Sequence, residues 1–205
     1  PLDYPCVYYK NVKFCTGDLL LFRSLSSMHM WMIGDKFSHV GIVLVINNIP
    51  HCLEFQPPNA KLTPLYERLD KYKEGVICVK QLQYDLATDR NVNLPLRIAD
   101  MLSFANSLKY PETFAQTRDV HVRACVTNPW IVKNSSDYDC RKFIIQVLKR
   151  LGILHGNEKV ACNIATWLSE LSYPYGEIKK LSFFDETCLE GNADFWSVNR
   201  KKKKK

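Results

Sequence analysis

Three residues of this chain have the types and placement to do chemistry together: Cys140, His39 and Glu54. That chemistry is nucleophilic attack by sulfur. Cys140 opens a strongly patterned helical segment, where free backbone N–H groups and the helix dipole favour a thiolate. The neighbouring Asp139 acts the other way, because one carboxylate disfavours a second anion. A nucleophilic cysteine needs an imidazole within hydrogen-bond reach to hold its proton. His39 begins an apolar run, a place where a histidine adds little to packing. Glu54 lies between Leu53 and Phe55, an odd setting for a charge in a purely structural strand. Each residue also has a plainer reading: a core cysteine, a surface histidine and a solvent-facing glutamate. What decides between the readings is whether the chain brings the three together.

The elements around them say how it would. Ser38 to Ile46 is a strand by its β-branched content. Asn47-Asn48 reads as a tight turn, and Ile49 to Gln56 as the returning strand. With Ile46 opposite Ile49, Gly41 faces Glu54 and His39 is the diagonal neighbour of Glu54. A register shifted by two places Glu54 directly opposite His39. Both put the two side chains on one face, since side chains alternate with period two. A cross-strand spacing of roughly 5–8 Å lets a glutamate orient an imidazole. Gly41 beside them leaves room for a substrate or a sulfur to approach. Cys140 heads the stripe Phe143, Ile144, Val147, Leu148 and Leu151, while Arg141, Lys142, Gln146, Lys149 and Arg150 take the opposite face. Asp139 is the expected N-cap and Gly152 the stop.

Elsewhere, Gly17-Asp18 is a turn feeding the strand Leu19 to Ser24. Pro57-Pro58 ends the second hairpin strand, Leu62 to Tyr72 holds a short helix, and Gly75 to Leu82 is a strand. Helical spacing returns over 95–109 and over Val160 to Leu171. After Pro174 the pattern fades into aromatic-rich loops. The expected class is α+β, a small antiparallel β-sheet packed by helices on one side. Asp18 is read as a turn cap. His29, His51, His121 and His155 have no comparable partners and are read as surface or loop residues.

Bulk properties exclude several classes. At 205 residues the chain is one ordinary domain, and its longest apolar run, Val40 to Ile46, falls far short of a membrane-spanning helix. An N-terminus trimmed before Pro1 is compatible with the sequence. The net charge of +7 comes largely from the tail Arg200 to Lys205. That tail could contact nucleic acid or an anionic membrane surface, or simply be a solvated end. No other basic stripe is interleaved with aromatics, so a nucleic-acid enzyme is not expected. None of the eight cysteines forms a C-x-x-C pair, so zinc and thioredoxin-type signatures are lacking and no metal is expected. An even count is compatible with disulfides. The low density, and cysteines inside apolar segments such as Val76 to Val79, favour buried thiols and a reducing compartment.

Taken in order, Gly17 to Phe22, Ser38 to Val43, Leu53-Glu54 and Tyr138 to Ile144 resemble the circularly permuted branch of the NlpC-type papain-like superfamily. That branch includes bacterial YiiX-like proteins, lecithin:retinol acyltransferase relatives and a poxvirus protein group. The resemblance spans about residues 16–155, which divides the chain into an extension (1–15), the catalytic domain, a C-terminal helix with loops (156–199) and the basic tail. It departs from the pattern at Asp139, where many relatives carry Asn, and at Arg141-Lys142. It implies a permuted papain-like fold without cofactor. Cys140 would be the nucleophile, His39 the base and Glu54 the residue orienting it. Tyr138 and Gly41 would line the cleft. The backbone N–H opening the helix would serve as oxyanion donor, which helix geometry also provides. Substrates of relatives imply peptide-like amides or lipid acyl groups. For the latter, Met28, Met30, Trp31 and Met32 would form a covering loop. A structural or scaffolding protein of a viral particle, retaining the fold, is the rival expectation. On either reading the expected place is a reducing intracellular compartment (host cytoplasm) or a virion.

Overall fold

The turn at Asn47-Asn48 sets the frame of the sheet. Both asparagines take positive φ, 51° and 62°, the left-handed pair that a two-residue hairpin requires and that asparagine tolerates. The turn joins β4 (His39–Ile46) to β5 (Ile49–Gln56) with Ile46 opposite Ile49 and Gly41 opposite Glu54. The computed structural model describes residues 6–24, 36–56, 59–72, 75–83, 94–108, 140–154 and 175–181, with 164 and 167–168. Around that hairpin it places β1 (Cys6–Tyr9), β2 (Val12–Cys15), β3 (Leu19–Ser24), β6 (Asn59–Pro64), β7 (Gly75–Leu82) and β8 (Tyr175–Leu181). The helices are α1 (Leu65–Lys71), α2 (Leu94–Ser107) and α3 (Cys140–Arg150). One sheet runs β6-β5-β4-β3-β7-β8 and β1-β2 form a separate hairpin, every pairing being antiparallel. The class is α+β, as expected.

Alternation along the strands divides the core in two. Leu19, Leu21, Val40, Ile42, Leu44, Leu53 and Phe55 face the helical layer, where they meet Met101 and Ala105 of α2 and Phe143, Ile144, Val147 and Leu148 of α3. Leu20, Phe22, Val43, Val45 and Cys52 face the other way. There they pack against Leu65 and Leu69 of α1 and against Val12 and Phe14 of β2. Helices therefore cover both faces, not one, because α1 is short and turns back beneath the strand that precedes it. Helix α3 ends where expected. Gly152 adopts φ 75°, and Gly152 N–H and Ile153 N–H donate to the carbonyls of Lys149 and Leu148 at 3.0 and 2.9 Å, a Schellman closure.

Asp18 is the turn residue that the sequence suggested. Its carboxylate accepts from the Cys15 and Leu82 N–H groups, both at 2.8 Å, and so ties the turn to β7. Burial pushes this carboxyl up to about 7 against the lowering effect of those two donors. Gly17, at φ 102°, donates to Val43 O at 2.9 Å.

Four further expectations change. Asn59–Pro64 is a strand, so the helix expected from Leu62 begins only at Leu65. The stretch after Pro174 contains β8, which closes the sheet edge beside β7. Arg141 is buried rather than exposed with the polar face of its helix. Cys6 and Cys15, expected as thiols, are joined in a disulfide across the first hairpin. Of the helix expected over 160–171, the described residues Ile164, Trp167 and Leu168 are helical and buried. The Met-rich stretch at 28–32, His29, His121, His155 and the lysine tail lie outside the described residues.

Candidate active site

His39 is the first residue of β4 and pairs with Phe22 of β3. Two residues further on, Gly41 pairs with Glu54, so the imidazole and carboxylate share one face as diagonal neighbours. His39 Nε2 lies 3.0 Å from Glu54 Oε2. Of the two registers considered from sequence, the one with Ile46 opposite Ile49 is present.

Cys140 is the first residue of α3 and is half-buried, at the margin of the core beneath the helical layer. The Cys140 thiol lies close enough to His39 to act on the charge of the imidazole. Nε2 is committed to Glu54, which leaves Nδ1 as the nitrogen for the sulfur. The imidazole thus has a carboxylate on one nitrogen and a thiol in its neighbourhood. Backbone N–H groups at the opening of a helix can serve an anion, and Cys140 is the first residue of α3.

Electrostatics follow from burial and pairing. Burial alone would lower the His39 imidazole, but its interactions with Cys140 and Glu54 and the charges of both raise it to about 9. Burial alone would raise the Glu54 carboxyl. The bonds and charges of His39 and Arg68 outweigh this and hold it below the ordinary carboxylate range. Glu54 is fully buried, while the His39 side chain keeps 18% of its surface exposed. The site is therefore anchored inside and open at its reactive end.

Arg68 is the residue that sequence reasoning missed. Its Nε and Nη2 donate to Glu54 Oε1 and Oε2 at 2.7 and 3.1 Å, a two-pronged grip. The guanidinium lies over the rings of Phe22, at 4.2 Å, and Tyr72, at 5.3 Å. Phe22 in turn packs against the His39 ring, centroids 5.7 Å apart. A signal was available: Arg68 shares a helix face with Leu65, Leu69 and Tyr72, so its guanidinium follows the apolar stripe onto the sheet.

Gly41 leaves room for a sulfur, that of Cys52. A Cβ there would come within 2.8 Å of Cys52 Sγ and 3.5 Å of Glu54 Cβ. The space beside it is filled by a neighbouring core thiol, so the missing side chain serves close packing under Glu54. Tyr138 and Asp139 lie outside the described residues. His51 Nδ1 donates locally to Ile49 O, 2.9 Å away, and takes no part in the cluster. Among the described residues no group of three or more His, Cys, Asp or Glu is arranged to hold a metal.

No family model matches the chain, and no curated protein does. Among solved structures, the chain is similar to the metalloprotein yiiX from Escherichia coli O157:H7, with a TM-score of 0.43 and 17% identity. The match covers 66% of this chain and 65% of that one.

Proposed function

We propose that the chain is a thiol-dependent hydrolase or acyltransferase of the circularly permuted papain-like kind, with Cys140 as nucleophile, His39 as base and Glu54 as the residue that orients it. The observation that carries this reading is the position of His39, bonded to a buried carboxylate and within electrostatic reach of the thiol that opens α3. An imidazolium beside a sulfur stabilises negative charge on it. The thiolate attacks an amide or ester carbonyl, forming a C–S bond and a tetrahedral oxyanion beside the backbone N–H of Cys140. Collapse breaks the bond to the amine or alcohol, which leaves with the proton held by His39. Water or another nucleophile then attacks the thioester, gives its proton to His39 and releases the acyl group, restoring the pair. Glu54 keeps Nε2 bonded throughout and so holds Nδ1 toward the sulfur.

The test is iodoacetamide labelling of Cys140 at pH 7, read by peptide mass spectrometry. Cys52 and Cys78 are internal controls, since burial raises the first thiol well above its ordinary value and the second to about 11. Cys140 is expected to label fastest, and His39→Gln to slow it about tenfold or more. Labelling no faster than the controls, or indifferent to His39, would overturn the reading.

A further inference from the structure

A groove of ≈ 500 Å³ lies between the β5–β6 pair and α1. Its floor follows from the register. Glu54 pairs with Lys61, and Cys52 with Thr63, so Glu54, Gln56, Lys61 and Thr63 line the face that α1 covers. Helix α1 supplies the wall through Glu67, Arg68 and Lys71, with Tyr72 just after it. The groove therefore borders the cluster through Glu54 and Arg68.

Its charges are unequally matched. Glu54 is gripped by Arg68 and bonded to His39, and Glu67 is paired with Lys71 at 2.9 Å. Among the described residues Lys61 makes no ion pair, and its charge acts on Glu67 only from a distance. The lining carries Lys61, Arg68 and Lys71 against two carboxylates, a net positive charge. Thr63 is 9% exposed, and its hydroxyl is buried without a hydrogen-bond partner among the described residues. A buried hydroxyl lacking a partner is a donor and acceptor in waiting. An acyl chain would need apolar walls, and most of the groove's lining is polar or charged.

We infer that this groove is a subsite for a carboxylate borne by a peptide-like substrate, held by the Lys61 ammonium and the Thr63 hydroxyl. The inference rests on the proposed function for its link to turnover, but not for binding. It is tested with N-acetyl-aspartyl amide, its neutral analogue N-acetyl-asparaginyl amide, and inorganic phosphate, each titrated into the whole ¹⁵N-labelled protein. The aspartyl compound is expected to shift the Lys61 and Thr63 amides saturably, roughly five- to tenfold more tightly than the neutral one. Lys61→Glu is expected to abolish that preference, and the surface variant Lys179→Glu to keep it. Equal binding of the neutral analogue, or no shift at these amides, overturns the subsite. Tighter binding of phosphate than of the aspartyl compound overturns its assignment to a carboxylate. His39-dependent labelling of Cys140 without these shifts sinks the subsite alone. Carboxylate-selective shifts without such labelling leave the subsite standing and sink the proposed chemistry.

Discussion

His39 and Glu54 stabilise each other's charged forms, and this gives the fold two pH limits. The imidazole is raised in the folded state, to about 9. Its contribution is fully present below the unfolded value near 6.5 and is lost as the pH climbs through about 9. At most this is on the order of 3 kcal/mol. Glu54 is lowered, so its contribution is present above about 4.5 and is lost as the pH falls through its folded value. Urea titrations across pH are expected to show stability declining from pH 6.5 to 9 in the wild type and nearly flat there in His39→Gln. Arg68→Met, which removes one of the two groups holding Glu54 ionised, is expected to move the acid loss to higher pH, with Arg68→Lys intermediate. An alkaline decline that persists in His39→Gln would remove His39 as its source. The pairing of His39 with Glu54 was legible because period-two alternation and a two-residue turn leave little freedom. Arg68 was not, because an arginine on a short helix looks like a solvated residue until the helix is laid on a sheet.

At the scale of elements, close packing of β4 on β5 holds the pair in place. Gly41→Ala would drive a methyl to within 2.8 Å of Cys52 Sγ, an overpacking that costs about 1–3 kcal/mol. Cys52→Ala removes the clashing atom, so the double variant is expected to recover part of that loss in a denaturation cycle. Strict additivity would mean that the two side chains do not meet. Strands β4 and β5 were readable from their apolar runs, and α3 from its stripe. Strands β6 and β8 were not, and the reason is physical. Both lie at sheet edges, where Asn59, Lys61, Pro64, Lys179 and Lys180 replace apolar alternation, as exposed edges require to avoid pairing with other chains. A sequence read for apolar periodicity therefore finds the middle of a sheet and misses its borders. The buried Arg141 escaped for a related reason: charge was taken as a mark of exposure.

For the whole molecule, the first hairpin matters more than an appended extension would. Cys15 N–H is bound by Asp18, Val12 and Phe14 enter the second core, and the Cys6–Cys15 bridge closes the hairpin. Cross-linking a loop of this size stabilises a fold by about 2–3 kcal/mol. Replacing both cysteines by alanine is expected to lower the urea midpoint accordingly, and an unchanged midpoint would show that packing alone secures the hairpin. The same dependence of the whole on a short connection applies at Asn47-Asn48. That turn acts as a reading frame for the sheet. One residue added there, with β5 slipping to keep its pairing, would send Glu54 to the helical side and bring Leu53 or Phe55 to the imidazole. Every side chain of the candidate site would still be present in the sequence, and the site would be gone.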